Sequence, residues 1–224
     1  MKLKKIASLM LAGIMAVSML AGCKSGTTTD EEKNPTTPAT PSVVTYANDA
    51  LNAAQKGVIT FEGSTDLDTI LKDVATNPDN LSSDTIETIF GDLNIRSSVT
   101  AAAGTSVKVL QSKVADKLTG ERVTGFNANT VPADKASQKI NHVFAVSGAL
   151  EEKEAIRRII DDYDQYITDA HFPSFVSDTN GRYSCDYDAE ISALKVTSPE
   201  HSEQSAWVVA IVITQNVTKT VAAQ

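Results

Sequence analysis

A stretch of eight apolar residues, 206–213, constrains the fold of this chain more than any other feature. It lies between Ser205 and Thr214, is rich in β-branched side chains, and is apolar at odd and even positions alike. Eight residues are too few to cross a bilayer as a helix, which needs ~20. A β-branched segment that is apolar on both faces is typical of a strand inside a sheet. We therefore expect residues 206–213 to form a central strand.

Residues 183–196 alternate between apolar and polar side chains, which predicts a strand with one wet face. We expect this strand to pair antiparallel with residues 206–213. Its pattern slips at Ala193 and Leu194, which indicates a bulge. Further upstream, residues 140–146 read as a buried strand. The helix that follows them carries an apolar stripe of Ile156, Ile159, Ile160, Tyr163, Ile167 and Ala170. Together these elements predict a C-terminal β-α-β-β unit.

Residues 43–126 carry weaker patterns of the same kinds. Helices are expected over 42–57, 65–77, 82–90 and 107–120, and strands over 58–61, 93–101 and 122–126. Residues 127–138 are expected to form a loop around Pro132. The fold class predicted for residues 43–224 is α+β, with an antiparallel or mixed sheet and helices packed on one face. These residues form one domain, or two subdomains at 43–126 and 139–218.

The N-terminus has the order of a bacterial export signal. Three lysines precede an apolar run over residues 6–19, and Leu20, Ala21, Gly22 and Cys23 follow it. This arrangement resembles the lipobox of bacterial lipoprotein precursors. The resemblance implies a signal peptide at residues 1–22, cleavage before Cys23 and a diacylglyceryl group on the Cys23 sulfur, often with a further acyl chain such as palmitate. Two or more chains anchor a protein stably, so the resemblance implies a lipid anchor on the outer face of the cell membrane.

Residues 24–42 are rich in threonine and proline and hold no large apolar side chain. This composition predicts a flexible tether between Cys23 and the domain. Removal of residues 1–22 takes three lysines away and changes the net charge from −8 to −11. Because phosphate backbones are bound by clustered Lys and Arg, we expect no nucleic-acid partner.

Most signatures of catalysis and cofactor binding are absent from the sequence, including the P-loop, the dinucleotide fingerprint, HExxH, CxxC and GxSxG. The histidines His142, His171 and His201 are widely spaced, so no metal site and no cofactor are predicted. Ser192 and Lys195 match the S-x-x-K pattern, but a strand would place them on opposite faces. The remaining cysteine, Cys185, is expected on the inward face of its strand as an inert small side chain.

Acidic residues are densest over 161–169 and again over 178–190, where Asn180 and Gly181 indicate a turn. Their spacing does not match a calcium-binding loop, so a solvated surface is expected. Aromatic side chains could line a groove between helix and sheet, although core packing explains them equally well. This candidate binding surface consists of Tyr163, Tyr166, Tyr183, Tyr187 and Trp207.

The anchor, the tether and the missing catalytic motifs together indicate a non-enzymatic binding or interaction module. Its expected partners are the membrane, through the lipid on Cys23, and an envelope protein or cell-wall ligand. One alternative is an envelope hydrolase that uses carboxylates of the acidic region, because paired acids need no sequence motif. Another is a structural or regulatory subunit of an envelope complex, for which an exposed apolar patch would be the sign.

Overall fold

The apolar segment identified in the sequence belongs to β6, Ser205–Lys219, which lies in the middle of a six-stranded mixed sheet. The structure is a computed structural model that describes residues 42–80, 94–198 and 202–220. β6 pairs antiparallel with β5, Gly181–Thr197, on one side and with β3, Ser137–Ser147, on the other. The expected central strand and its pairing with residues 183–196 are therefore confirmed.

Three short strands complete the sheet. β1, Phe61–Gly63, pairs parallel with β5, and β4, Phe175–Asp178, pairs antiparallel with the start of β5. β2, Arg96–Ser97, pairs antiparallel with β3, so the strand order is β1-β5-β6-β3-β2. The strands expected over 58–61 and 93–101 are thus shorter or shifted. Residues 122–126 contribute a bridge between Arg122 and Lys139 instead of the expected strand.

The described residues contain five α-helices: α1 Ser42–Ala50, α2 Ala53–Lys56, α3 Thr65–Ala75, α4 Ser106–Lys117 and α5 Glu152–Tyr163. Single-turn 3-10 helices follow at Pro78–Asn80 and Asp164–Tyr166. The helix expected over 42–57 is divided because the Asn52 side chain accepts hydrogen bonds from the Ala54 and Gln55 amides and begins α2. The helix expected over 82–90 lies outside the described residues.

Successive residues of β6 point to opposite faces of the sheet, and helices cover both faces. One face packs against α3 and α4 through Val208, Ala210 and Val212. The other packs against α1 and α5 through Val209, Ile211 and Ile213. The α+β class with a mixed sheet is confirmed, but the expectation that helices pack on one face is wrong. Because β6 is apolar on both sides, each side has to be removed from water.

The β5–β6 pairing is continuous, from Tyr183 opposite Lys219 to Thr197 opposite Ser205. The bulge expected at Ala193 and Leu194 is therefore wrong. The pattern changes there because the second face of β5 also becomes covered: Leu194 and Val196 pack with the side chains of α3. The order β3, α5, β5, β6 confirms the C-terminal β-α-β-β unit, with β4 inserted before β5.

The apolar stripe of α5 is confirmed at Ile156, Ile159, Ile160 and Tyr163, which are all buried. The helix ends at Tyr163, so Ile167 is buried beyond the helix and Ala170 is exposed. The helical stripe is therefore about two turns shorter than expected. The helices of the first half, α3 and α4, pack on strands of the second half, and residues 41–224 form one compact unit.

The outer edge of β3 is covered only in part, and this positions the candidate site. β2 pairs with Phe144 and Ala145 of β3, and Arg122 bridges Lys139. Between these contacts no described strand pairs with the outer edge at residues 140–143. Side chains of α4 and of the neighbouring loops fill part of this gap and leave a cleft beside it.

Candidate functional site

The five aromatic residues expected to form a binding surface lie in different surroundings. Tyr163 and Tyr183 are 1% and 3% exposed and belong to the core. The Tyr163 ring packs edge-on against Phe144, with ring centroids 5.6 Å apart, and burial raises the pKa of its phenol. Neither ring is accessible to a ligand in this structure.

Tyr187 is half-buried and joins a polar network beside the sheet. Its hydroxyl donates to the Pro173 carbonyl at 2.8 Å and accepts from Gln215 Nε2 at 2.9 Å. Gln215 Oε1 in turn accepts from Gln138 Nε2 at 2.6 Å, and both glutamines are buried. Because the hydroxyl satisfies two buried polar groups, the role that these contacts support for Tyr187 is structural.

Trp207 and Tyr166 are also half-buried. Trp207 Nε1 donates to the Leu150 carbonyl at 3.0 Å. Along β6, Trp207 lies eight residues from Gln215, which is opposite Tyr187, and this separation is roughly 26 Å along a strand. Tyr166 packs beside Tyr163, with ring centroids 6.0 Å apart. The five predicted residues therefore do not form one surface.

The acidic residues over 161–169 and 178–190, all of which the structure describes, do not converge on a metal site. Among the described residues, no group of three or more His, Cys, Asp or Glu could hold an ion. Asp161 pairs with Arg157 on the surface of α5. Asp178 accepts a hydrogen bond from the Asn180 amide at 2.7 Å in the expected turn, and the Asn180 side chain lowers the pKa of this carboxyl. Partial burial and the nearby Asp164 raise the pKa of Asp162.

Two further residues that the sequence singles out, Cys185 and Ser192, lie in surroundings that support structural roles. Cys185 is half-buried, and burial raises the pKa of its thiol, which favours the less reactive protonated form. Ser192 is buried and donates to Asp68 Oδ1 at 2.6 Å, whereas Lys195 is exposed. Because β5 is regular through this stretch, the two side chains lie on opposite faces, as expected. His201 lies outside the described residues.

A cleft of about 440 Å³ lies beside the outer edge of β3, and we call it the edge cleft. Its walls come from α4 and from the segments 98–99 and 122–124, and its floor comes from β3. The lining residues are Ser98, Val99, Lys108, Gln111, Ser112, Ala115, Arg122, Val123, Thr124, Asn141 and His142. The volume lies at the small end of the range for small-molecule sites, which is roughly 300–1,000 Å³.

The lining of the edge cleft combines apolar surface with cationic, amide and hydroxyl side chains and contains no Asp or Glu. Lys108 Nζ donates to the amide oxygen of Gln111 at 3.2 Å. The Arg122 guanidinium donates to the Ala115 carbonyl near the end of α4 and lies 3.8 Å from Asp116. Two cationic side chains thus face a small cleft in a chain whose net charge is −8.

His142 lies between the edge cleft and the core. Its ring packs against Tyr163, with centroids 5.5 Å apart, and its buried Nδ1 has no hydrogen-bond partner among the described residues. Burial and the positive charge of Lys108 lower the pKa of His142 to about 4. The imidazole is therefore neutral at pH 7.

Gln111 and Asn141 hold the wall of the cleft against its floor. Each side-chain amide donates a hydrogen bond to the backbone carbonyl of the other residue. These two bonds join α4 directly to the outer edge of β3. A wall held in place in this way spares a ligand the cost of ordering it on binding.

The chain matches no protein-family model, no curated protein and no solved structure. No helix within the described ranges combines the length and the apolar character that a membrane span requires.

The sequence alone does not reveal the edge cleft, because its residues come from four separate segments. In the sequence His142 is a candidate only as a metal ligand, and Lys108 and Arg122 belong to no motif. The one local signal was the polar side chain of Asn141 within the buried strand at residues 140–146. A polar residue at such a position indicates that the strand meets a polar partner there, but it does not identify the partner.

Proposed function

We propose that this chain is a lipid-anchored extracytoplasmic protein that binds a small polar ligand in the edge cleft. The observation that carries the proposal is the cleft lining, where cationic, amide and hydroxyl groups converge without a carboxylate. Small-molecule sites in proteins are concave and use a few convergent polar groups to orient the ligand. The resemblance of residues 1–23 to a lipoprotein signal, and the tether over 24–42, support the location.

The arrangement within the cleft supports binding rather than catalysis. Hydroxyls are present at Ser112 and Thr124, and an imidazole is present at His142. A catalytic histidine is normally oriented by a carboxylate and bonded to its nucleophile. Here no acid lines the cleft, and the His142 Nδ1 has no partner among the described residues. The alternative of a hydrolase that uses carboxylates is not supported either, because the acidic residues over 161–169 and 178–190 do not line the cleft.

The described surface offers little support for a purely structural subunit. Phe175 is the one large apolar side chain that is strongly exposed among the described residues, at 41%. The Arg182 guanidinium lies over its ring at 3.9 Å. A single ring that is partly covered by a cation is much smaller than the apolar patches that mark stable protein interfaces.

Fractionation of lysed cells into membrane and soluble parts tests the anchor. We expect the wild-type chain to sediment with membranes and the Cys23→Ala variant to lose the lipid and leave the membrane fraction. Cys185→Ala is the matched control, because it removes the other cysteine of the chain and should not change the distribution. Retention of Cys23→Ala in the membrane fraction at the wild-type level would contradict the anchor.

A blocking variant tests the cleft as the ligand site. Ser112 is exposed and lines the cleft, whereas Lys113 is exposed on the same helix but does not line it. The full chain, purified in mild detergent, is screened against small polar molecules by thermal unfolding, with the fluorescence of the single tryptophan, Trp207, as the signal. A ligand that stabilises the wild type should lose its effect in Ser112→Phe and keep it in Lys113→Phe. The same shift in both variants would place the ligand elsewhere.

A further inference from the structure

The edge cleft concentrates positive charge in a chain that is otherwise acidic. The chain has 28 acidic and 20 basic residues, yet the lining holds Lys108 and Arg122 and no carboxylate. The field inside a cleft is governed by the nearest charges, because its low-dielectric walls focus the field lines. An anion is therefore attracted locally even though the net charge of the chain repels it at a distance.

Lys108 keeps most of its hydrogen-bonding capacity for a ligand. An ammonium group has three N–H donors, and one of them is directed at the neutral amide oxygen of Gln111. Gln111 is itself bound to Asn141 on β3, so this contact orients the ammonium without neutralising it. The charge of Lys108 is also felt at His142, which lies on the cleft floor.

Arg122 comes from the segment 122–124 and reaches the end of α4. Its guanidinium is held by the Ala115 carbonyl and lies 3.8 Å from Asp116, whose side chain is 65% exposed. Ion pairs at such exposed positions are weak and screened by solvent. A guanidinium has five donors in one plane, so several stay available for two oxygens of a carboxylate or phosphate.

The other polar side chains of the lining are uncharged, and Val99, Ala115 and Val123 complete it. His142 is neutral at pH 7 and does not add a third charge. The hydroxyls of Ser112 and Thr124 can donate or accept, so they suit both an anion and the polar body that carries it. The lining therefore combines two cations with neutral groups that suit a polar, hydroxylated molecule.

We infer that the edge cleft binds the oxyanion of a small polar molecule, a carboxylate or a phosphate, with Lys108 and Arg122 as its binding residues. This inference rests on the proposed binding function and names the ligand class for the same site. Carboxylate and phosphate each offer two acceptor oxygens that a guanidinium can bind through two parallel hydrogen bonds. Both are distinguished from uncharged ligands by their dependence on the two cations.

Three probes with one common body test the charge requirement: glucose, glucuronate and glucose 6-phosphate. Each is added at about 10 mM to the full chain in mild detergent, at matched ionic strength, and thermal unfolding is followed by Trp207 fluorescence. A dissociation constant of ~1 mM would then raise the unfolding midpoint by roughly 3–6 °C. We expect such a shift with glucuronate, glucose 6-phosphate or both, and none with glucose. The two charged probes separate a carboxylate site from a phosphate site.

Charge-removing variants assign the shift to the cleft. Lys108→Gln and Arg122→Gln should each reduce the affinity for the charged probe at least tenfold. Lys113→Gln removes a cation from the same helix outside the lining and should retain the wild-type affinity. If Arg122→Gln fails to fold because it loses the Ala115 contact, Lys108→Gln alone decides the point.

The possible outcomes separate this inference from the function on which it rests. Equal shifts with glucose and the charged probes, a shift of the full wild-type size in Lys108→Gln, or no shift with any probe would each overturn the oxyanion inference. In all three cases the proposed binding function stands if another ligand from the screen stabilises the wild type but does not stabilise Ser112→Phe. The binding function fails with the inference if the screen also yields no ligand that Ser112→Phe blocks.

Discussion

Gln111 on α4 and Asn141 on β3 exchange hydrogen bonds between their side chains and each other's backbone. Asn141 Nδ2 donates to the Gln111 carbonyl at 2.9 Å, and Gln111 Nε2 donates to the Asn141 carbonyl. The pair fastens a helix to the open edge of a strand, where a neighbouring strand would otherwise supply such bonds. It also fixes the distance between the wall and the floor of the edge cleft.

We expect this pair to be energetically coupled. Gln111→Ala should cost about 1–3 kcal/mol, because it leaves the partly buried Asn141 carbonyl unpaired. Asn141→Ala should cost about 0.5–1.5 kcal/mol, because it removes one hydrogen bond while the Gln111 carbonyl keeps its bond within the helix. The double variant should cost less than the sum of the single variants by at least ~0.5 kcal/mol. Urea unfolding followed by Trp207 fluorescence measures all three. Gln165→Ala is the control, because it removes an exposed side chain that bonds within its own segment. Strict additivity of the two substitutions would argue against the coupling.

The stability of the protein should fall as the pH decreases from about 6.5 to 4. The pKa of His142 is about 4 in the folded chain, against 6.5 for an ordinary histidine. Between these values the unfolded chain binds the proton and the folded chain does not, so acid favours unfolding. His142 contributes its stabilising effect fully above pH 6.5 and loses it as the pH falls to 4, by up to roughly 1.4 kcal/mol per pH unit.

Urea unfolding of the wild type and of His142→Gln across this range measures the effect. We expect the slope between pH 6.5 and 4 to be smaller in the variant. Hydrogen bonds from Arg157 and Arg158 lower the pKa of Glu154 to about 2, from 4.5. The stability linked to Glu154 is therefore lost mainly below pH 4.5 and should be lost equally in both proteins. Identical slopes above pH 4.5 would refute the assignment to His142.

Gly148 sits where the end of β3 meets the start of β6. Its amide donates to the Ser205 carbonyl at 2.7 Å, and a Cβ added at Gly148 would lie 2.5 Å from the carbonyl carbon and oxygen of Ser205. The backbone has to move to admit it, so Gly148→Ala should destabilise the fold by about 1–3 kcal/mol. Gly125→Ala is the control, because its added Cβ would meet nothing within 4 Å. Thermal unfolding midpoints compare the two, and equal midpoints would contradict the close contact.

Tyr187→Phe should be more costly than the loss of an exposed hydroxyl. The substitution leaves Gln215 Nε2 and the Pro173 carbonyl without their partner. Unpaired polar groups of this kind cost about 1–3 kcal/mol, so the free energy of unfolding should fall by that amount. Tyr166→Phe removes a hydroxyl from another half-buried ring and serves as the comparison. A loss no larger in Tyr187→Phe than in Tyr166→Phe would show that the network contributes little.

Several elements could be predicted because their signals are local. The alternation of residues 183–191 and the apolar run at 206–213 depend on spacings of one and two residues, and both became the strands expected. The stripe of α5 follows from spacings of three and four residues. Boundaries were less reliable where a side chain redirected the backbone, as the Asn52 cap does between α1 and α2.

The apolar pattern of β6 explains why helices lie on both faces of the sheet. Its alternate residues are apolar on both sides, which requires cover on both sides. The polar residues of β5 over 186–190 indicate a sheet face that is exposed to water. This face is exposed only along that part of the strand. From Ser192 onward α3 covers this face of β5. The pattern changes at Ala193 and Leu194 because of this cover and not because of a bulge.

The sequence by itself determined α5, the long strands β3, β5 and β6, and the pairing of β5 with β6. The resemblance of residues 1–23 to a lipoprotein signal also rests on the sequence alone and stays a prediction. These properties follow from residues that are neighbours in the chain. The tertiary structure alone decided that Lys108, Arg122, Asn141 and His142 would meet in one cleft. That meeting depends on how α4 packs against β3 and on where β2 stops covering its edge. Contacts between segments that are distant in the chain produce no periodic pattern in the sequence of either segment, so the sequence does not predict them.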